Sequence, residues 1–320
     1  MPLLRLVPDN TNYRFMWLRK VSFPLSILLA IASLTLFGVV GLNYGIDFKG
    51  GTVIEMRTDG PADIAGIRST LADLSLGDVQ VQEFGAPNEV LVRIEEQPGG
   101  ELAQQSVVGK IRAVFEDDKV DFRRVEVVGP RVSSELARAG ALAVAVSLIA
   151  ILFYIWFRFE WQFALGAILT TANDVIVTIG LFVVLQLDFS LSSIAAVLTI
   201  IGYSLNDTVV VYDRIRENLR RYKKLPLTEV LDRSINETLS RTTLTSVTTL
   251  LALIALWIFG GEVIRSFTLA MIFGILIGTY SSIFLAAPFL ILFNLRSDGK
   301  SPDGDDKKAV DSDVNAAPAA

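Results

Sequence analysis

The chain has 320 residues, is 52% hydrophobic and carries a formal net charge of −5, an apolar excess over the roughly 45–50% of ordinary globular domains. It contains no cysteine and no histidine. That excludes disulfides, thiolate chemistry and His-based metal sites, and leaves carboxylates, arginine, hydroxyls and water for any proton relay. No long basic block points to nucleic acid as a partner.

Residues 1–22 bring Arg5, Arg14, Arg19 and Lys20 in front of the first apolar run, Phe23 to Leu42. That run is about 20 residues long, enough to cross a bilayer core of about 30 Å. It exceeds a signal-peptide core and has no convincing small-residue cleavage site before Asn43, so it is expected to be a retained span.

Residues 43–138 read as an inserted domain. Thr52 to Arg57 has the pattern of a strand, and Pro61 is placed to open a helix bearing Ile64, Ile67, Leu71 and Leu74. Val79 and Val81, then Val90, Val92 and Ile94, alternate around Gly85, Pro87 and Asn88 as a hairpin. Val108, Ile111 and Phe115 mark a second helix, and Val120, Phe122, Val125 and Val127 a last strand. The order β-α-β-β-α-β is that of a ferredoxin-like, split-βαβ domain.

Five further apolar runs occupy residues 139–295: Ala139 to Phe157, Trp161 to Leu187, Leu191 to Tyr212, Thr242 to Gly261, and Phe267 to Leu295. Ser133 or Ser134 is placed to cap the first of these helices, and Pro288 to kink the last. The fold class is therefore a polytopic α-helical membrane protein of six transmembrane helices with one α+β domain between helices 1 and 2. The loop 213–241 carries Arg214, Arg216, Arg220, Arg221, Lys223, Lys224, Arg233 and Arg241, whereas the connection after the third run has Asp188 and no base. By the positive-inside rule both termini and this loop are cytoplasmic, and the inserted domain is periplasmic. The tail 296–320, rich in Asp, Lys, Pro and Ala, is expected to be disordered.

Asp174, beside Asn173, falls in the middle of the third apolar run. Asp207 falls in the fourth, within Gly202-Tyr203-Ser204-Leu205-Asn206-Asp207-Thr208. A carboxylate in hydrocarbon costs several kcal/mol, so each must face a partner, another helix or water, and such groups mark proton or ion paths. The competing explanation is that Asn173, Ser204, Asn206 and their neighbours only join helices by hydrogen bonds. Arg241 opens the fifth run, followed by Thr245 and Thr248 at i+4 and i+7, with Thr242 and Thr249 on the adjoining face. Arg241 either snorkels to the interface or turns inward to pair with Asp207. Gly45-Ile46-Asp47-Phe48-Lys49-Gly50-Gly51 reads as a glycine-rich turn and lacks the Gly-Lys-Ser/Thr of a phosphate loop. Nothing beyond the presence of two aspartates supports an aspartyl protease dyad.

Four stretches together resemble the SecD/SecF family of the resistance-nodulation-division (RND) superfamily. They are Gly45 to Gly51, Val128-Gly129-Pro130-Arg131-Val132-Ser133, Ile201 to Asn218, and Glu237 to Thr249. The resemblance implies a SecF-like, non-enzymatic subunit without cofactors that uses protons as coupling ion. It implies pairing with SecD, association with the SecYEG channel and YajC, and assistance to a preprotein crossing the bacterial inner membrane. It places the proton-path carboxylate on Asp207 and the fifth-helix arginine on Arg241, and where some relatives carry histidine it finds Asn173. Two alternatives stay open: an RND exporter of lipid or small molecules, and a structural subunit.

Overall fold

The computed structural model describes residues 8, 11–115, 120–261, 264–293 and 295. The tail 296–320 and Arg5 lie outside the described residues. Among those described, six helices are long and apolar enough to cross a membrane: Arg19–Val39, Arg131–Arg158, Trp161–Leu185, Leu191–Arg221, Leu227–Phe259 and Arg265–Leu292.

In chain order, a 3-10 turn Phe15–Trp17 leads into α1 (Arg19–Val39), then β1 (Asn43–Tyr44) and the one-turn α2 (Ile46–Lys49). The inserted unit follows as β2 (Gly51–Arg57), α3 (Ile64–Ala72), β3 (Val79–Phe84), β4 (Ala86–Ile94), α4 (Gly100–Val114) and β5 (Asp121–Val128). The bundle continues through α5 (Pro130–Arg158), α6 (Trp161–Leu185), β6 (Asp188–Phe189), α7 (Leu191–Arg221) and α8 (Leu227–Phe259). It ends with α9 (Arg265–Ser281), a π turn (Ser282–Ala286) and α10 (Ala287–Leu292).

The inserted sheet is antiparallel in the order β3-β4-β2-β5. Alternation puts Ile54, Met56, Val90, Val92 and Ile94 on one face, where they pack against Ile67 and Leu71 of α3 and Val107 and Ile111 of α4. The first helix of this unit starts at Ile64 rather than at Pro61. Asp63 is its N-cap, its side chain accepting from Gly66 N at 3.0 Å, a polar cap that proline does not supply.

Two expected boundaries also move. Helix α5 begins at Pro130 with Gly129 as its N-cap, so the second span continues out of its apolar stretch into the inserted unit, and neither Ser133 nor Ser134 caps it. The segment 213–241 is largely helical: α7 runs on to Arg221 and α8 begins at Leu227. These extensions bury Ile215, Asn218, Leu231, Ser234 and Ile235 between them. Asn218 Nδ2 donates to Ser234 Oγ at 3.0 Å and to Glu237 Oε2 at 2.7 Å, and Glu237 also pairs with Arg214 and Arg233. The N-terminal segment lies against α8, where Tyr13 N and Tyr13 O both bond the Asn236 amide and Met16 N donates to Asp232 Oδ1.

Helices α6, α7 and α9 contribute the most buried spans, and α5 exposes Ile149, Phe153 and Phe157. Small residues set the spacing of α7 and α9. A Cβ at Gly274 would overlap Ile200, and one at Gly278 would lie 3.1 Å from Ser204 Cβ. This is the small-xxx-small rule for close helix approach in a bilayer.

Candidate functional site

On α6, Ala167, Thr170, Thr171, Asp174, Val177 and Thr178 are buried along one stripe, the i, i+3, i+4 face of a helix. Asp174 is 0% exposed. Its Oδ2 accepts from Ser204 Oγ of α7 at 2.6 Å and from Ser281 Oγ of α9 at 2.7 Å. One carboxylate oxygen thus joins three helices, while Oδ1 is buried without a hydrogen-bond partner.

Asp207 is carried inward on the α7 face that also buries Ser204, Thr208 and Val211. It is 2% exposed, and its Oδ2 is buried without a hydrogen-bond partner. No ion pair of 4.0 Å or less joins Asp207 to Arg241 of α8 among the described residues, and the Arg241 side chain reaches an exposed position. Beside Asp207, Thr208 Oγ1 and Ser282 Oγ share a hydrogen bond at 3.1 Å, and Ser282 Oγ donates to Gly278 O at 2.7 Å. Ser282 opens the π turn, a widened helical turn of the kind concentrated at functional sites. Thr171 Oγ1, Tyr203 OH and Thr242 Oγ1 are further buried oxygens without partners among the described residues. Buried polar atoms are normally paired, so this concentration in one bundle marks a specialised region.

The remaining candidates divide by position. Asn173 is half-buried beside Asp174, and Asn206 is exposed on the outer surface of α7. Thr245 and Thr248 donate to carbonyls of their own helix, Thr242 O at 2.9 Å and Leu244 O at 2.9 Å. From α8 it is Ser246 that reaches across, sharing a 2.7 Å hydrogen bond with Thr279 of α9. The polar centre therefore draws on Thr279, Ser281 and Ser282, which sequence reasoning did not single out. Their signal was the polar interruption Gly278-Thr279-Tyr280-Ser281-Ser282 within the sixth apolar run.

A second group of motif residues lies where the inserted unit joins the bundle. Strands β1 and β6 pair in parallel, Asn43 with Asp188 and Tyr44 with Phe189, and Gly45 N donates to Phe189 O at 2.9 Å. Asp47 Oδ2 accepts from Leu191 N at 2.9 Å. Gly50 and Gly51 have φ of +73° and +118°, and a Cβ at Gly51 would overlap Ile94 O, so this turn requires glycine. Gly129 and Pro130 turn the chain from β5 into α5.

A bundle of six membrane-crossing helices with ionisable groups at its centre, and an α+β unit inserted after the first helix, defines a multi-pass membrane protein. Residues 107–296 match the family described as protein export membrane protein SecD/SecF, C-terminal, and residues 35–62 match the SecD/SecF GG motif. The chain is 48% identical to the protein translocase subunit SecF of Rickettsia rickettsii over 91% of this chain and 94% of that one. It is 50% identical to the protein translocase subunit SecDF of Brucella abortus, over 97% of this chain and 40% of that longer one. A crystal structure of SecDF from Thermus, a translocon-associated membrane protein, superposes with a TM-score of 0.82 at 36% identity, covering 91% of this chain and 40% of that chain. The chain belongs to the SecD/SecF protein export membrane protein family.

Proposed function

We propose that the chain is a SecF-type subunit that works with SecD at the SecYEG channel, with YajC as a further partner, and uses the proton motive force to assist preprotein translocation. It is a translocase subunit rather than an enzyme, and the proton is its coupling ion. The multi-pass bundle lies in the bacterial inner membrane with both termini cytoplasmic, an orientation supported by the arginines and lysines of 213–241. The inserted unit is periplasmic and ferredoxin-like, as its β-α-β-β-α-β order and β3-β4-β2-β5 sheet support.

The observation that carries the proton reading is Asp207, 2% exposed, with one carboxylate oxygen buried and unpaired. A group so placed can exchange a proton without first breaking a hydrogen bond at that oxygen. Protonation removes its attraction to Arg241 and biases the packing of α7 against α8. The exposed Asn206 supports a partner: a polar group facing lipid is costly, and a neighbouring SecD helix would cover it.

The test is Asp207→Asn in the assembled complex. The expected result is loss of the gradient-dependent part of export, and of proton uptake by vesicles, at unchanged complex abundance. Wild-type export and proton uptake in that variant would overturn the proposal.

A further inference from the structure

The junction between the inserted unit and the bundle is tied more firmly than a linker requires. Helix α7 has its own capping box: the Ser190 side chain accepts from the Ser193 backbone N–H, and the Ser193 side chain bonds Ser190 N at 3.1 Å. Those contacts satisfy the N–H groups of Ser190 and Ser193 and leave that of Leu191 open. Asp47 adds a bond from a different part of the chain, its Oδ2 accepting from Leu191 N, the first residue of α7, at 2.9 Å. This places a negative charge at the positive end of the helix dipole.

Asp47 itself has little freedom. It sits on α2, a single helical turn between Gly45 and Gly50. The two positive-φ glycines that follow run straight into β2, with Gly51 packed too closely on Ile94 of β4 to admit a side chain. Around Asp47, three more ties cross the same junction. The β1–β6 pair joins Asn43 to Asp188 in register, reinforced by Asn43 Nδ2 donating to Asp188 Oδ1 at 2.8 Å. Arg93 of β4 forms an ion pair with Asp188. The rings of Phe48 and Phe189 stack with centroids 5.9 Å apart. The sheet, the glycine turn and the start of α7 therefore form one connected body. Asp207 lies on that same α7, roughly 24 Å along the axis from Leu191 at 1.5 Å per residue.

We propose that Asp47 is a positioning residue that pins the inserted unit to the start of α7, so that displacement of α7 at Asp207 is delivered to the β-sheet and not absorbed at the junction. The proposal rests on the proton-driven reading given above and assigns a role to the motif residue Asp47 within it. Asp47 thus satisfies Leu191 N–H, a donor that the Ser190–Ser193 box leaves open, and does so from the far side of the junction, so that one bond links sheet and helix, as transmission of movement needs.

The experiment compares Asp47→Ala with the unaltered chain in the assembled complex, reading complex abundance, proton uptake by vesicles, and gradient-dependent export. The expected result is abundance and proton uptake within two-fold of the parent, with gradient-dependent export reduced at least five-fold. A second variant adds Asn43→Cys and Asp188→Cys to Asp47→Ala. Residues 43 and 188 are directly opposed in the β1–β6 ladder, and the chain has no cysteine of its own to interfere. Oxidation should restore export and reductant should abolish it again. Wild-type export in Asp47→Ala overturns the proposal. So does a parallel fall of abundance, uptake and export that the disulfide fails to rescue, since that is the signature of a folding role. Failure of the proton reading is separate: it would show as Asp207→Asn retaining both uptake and export.

Discussion

Ser204 of α7 and Ser281 of α9 donate to the same oxygen of Asp174, at 2.6 and 2.7 Å. Three helices are held by one atom that accepts both hydroxyls. Removing one donor leaves the buried carboxylate less satisfied, a loss of about 1–3 kcal/mol. Ser281→Ala should therefore lower the unfolding midpoint of the detergent-solubilised protein, and Ser204→Ala should do likewise. Because both act on one oxygen, the double variant should depart from additivity by about 0.5–3 kcal/mol. Strict additivity in a double-mutant cycle would show that the two hydroxyls do not share this acceptor.

Gly274 and Gly278 let α9 approach α7 closely enough for that geometry. A Cβ at Gly274 would overlap Ile200. Gly274→Val should destabilise by about 1–3 kcal/mol through overpacking, and Ile200→Ala in the same chain should recover part of the loss. Gly38, where a Cβ meets nothing within 4 Å, is the control; Gly38→Ala should leave the midpoint nearly unchanged. Thermal unfolding of the three variants separates a packing effect from a general intolerance of larger residues.

In the proposed mechanism Arg241 acts on Asp207 from an exposed position and without a close ion pair. Its charge should therefore matter more to export than its packing matters to the fold. Arg241→Gln is expected to alter stability by no more than about 0.5 kcal/mol while abolishing gradient-dependent export, and Arg241→Lys, which keeps the charge, should retain a measurable part. Export of preprotein alongside unfolding midpoints reads both quantities. Equal export by the Gln variant and the unaltered chain would remove Arg241 from the coupling.

Much of the architecture was legible because it is written in one-dimensional patterns. Long apolar runs announce spans, and period-two alternation at Val90, Val92 and Ile94 announces a strand. Asp174 and Asp207 stood out because a charge in an apolar run is costly. What escaped the sequence depends on pairings across long separations. The two-residue strands β1 and β6 are too short to carry a pattern, and Asp188 gives no local sign that it meets Arg93. Ser281 and Ser282 show in the sequence only as part of a polar interruption of the sixth apolar run, and what they meet follows from the return of α9 against α6 and α7. The helical extensions in 213–241 were hidden for a different reason: hydropathy falls where a helix leaves the apolar layer, even when the helix itself continues.

Those extensions give α7 and α8 a mechanical property beyond holding the bundle. The buried Asn218 and Ser234, and Glu237 with Arg214 and Arg233, bind the two rods side by side. From Asp207 to the end of α7 at Arg221 is roughly 21 Å of uninterrupted helix. A tilt of about 5° at the carboxylate would carry that tip about 2 Å, by the geometry of a rod of this length. A sub-ångström adjustment in the interior is thus magnified at the surface, and the paired tips would act as the pointer of a gauge for the state of a single buried acid.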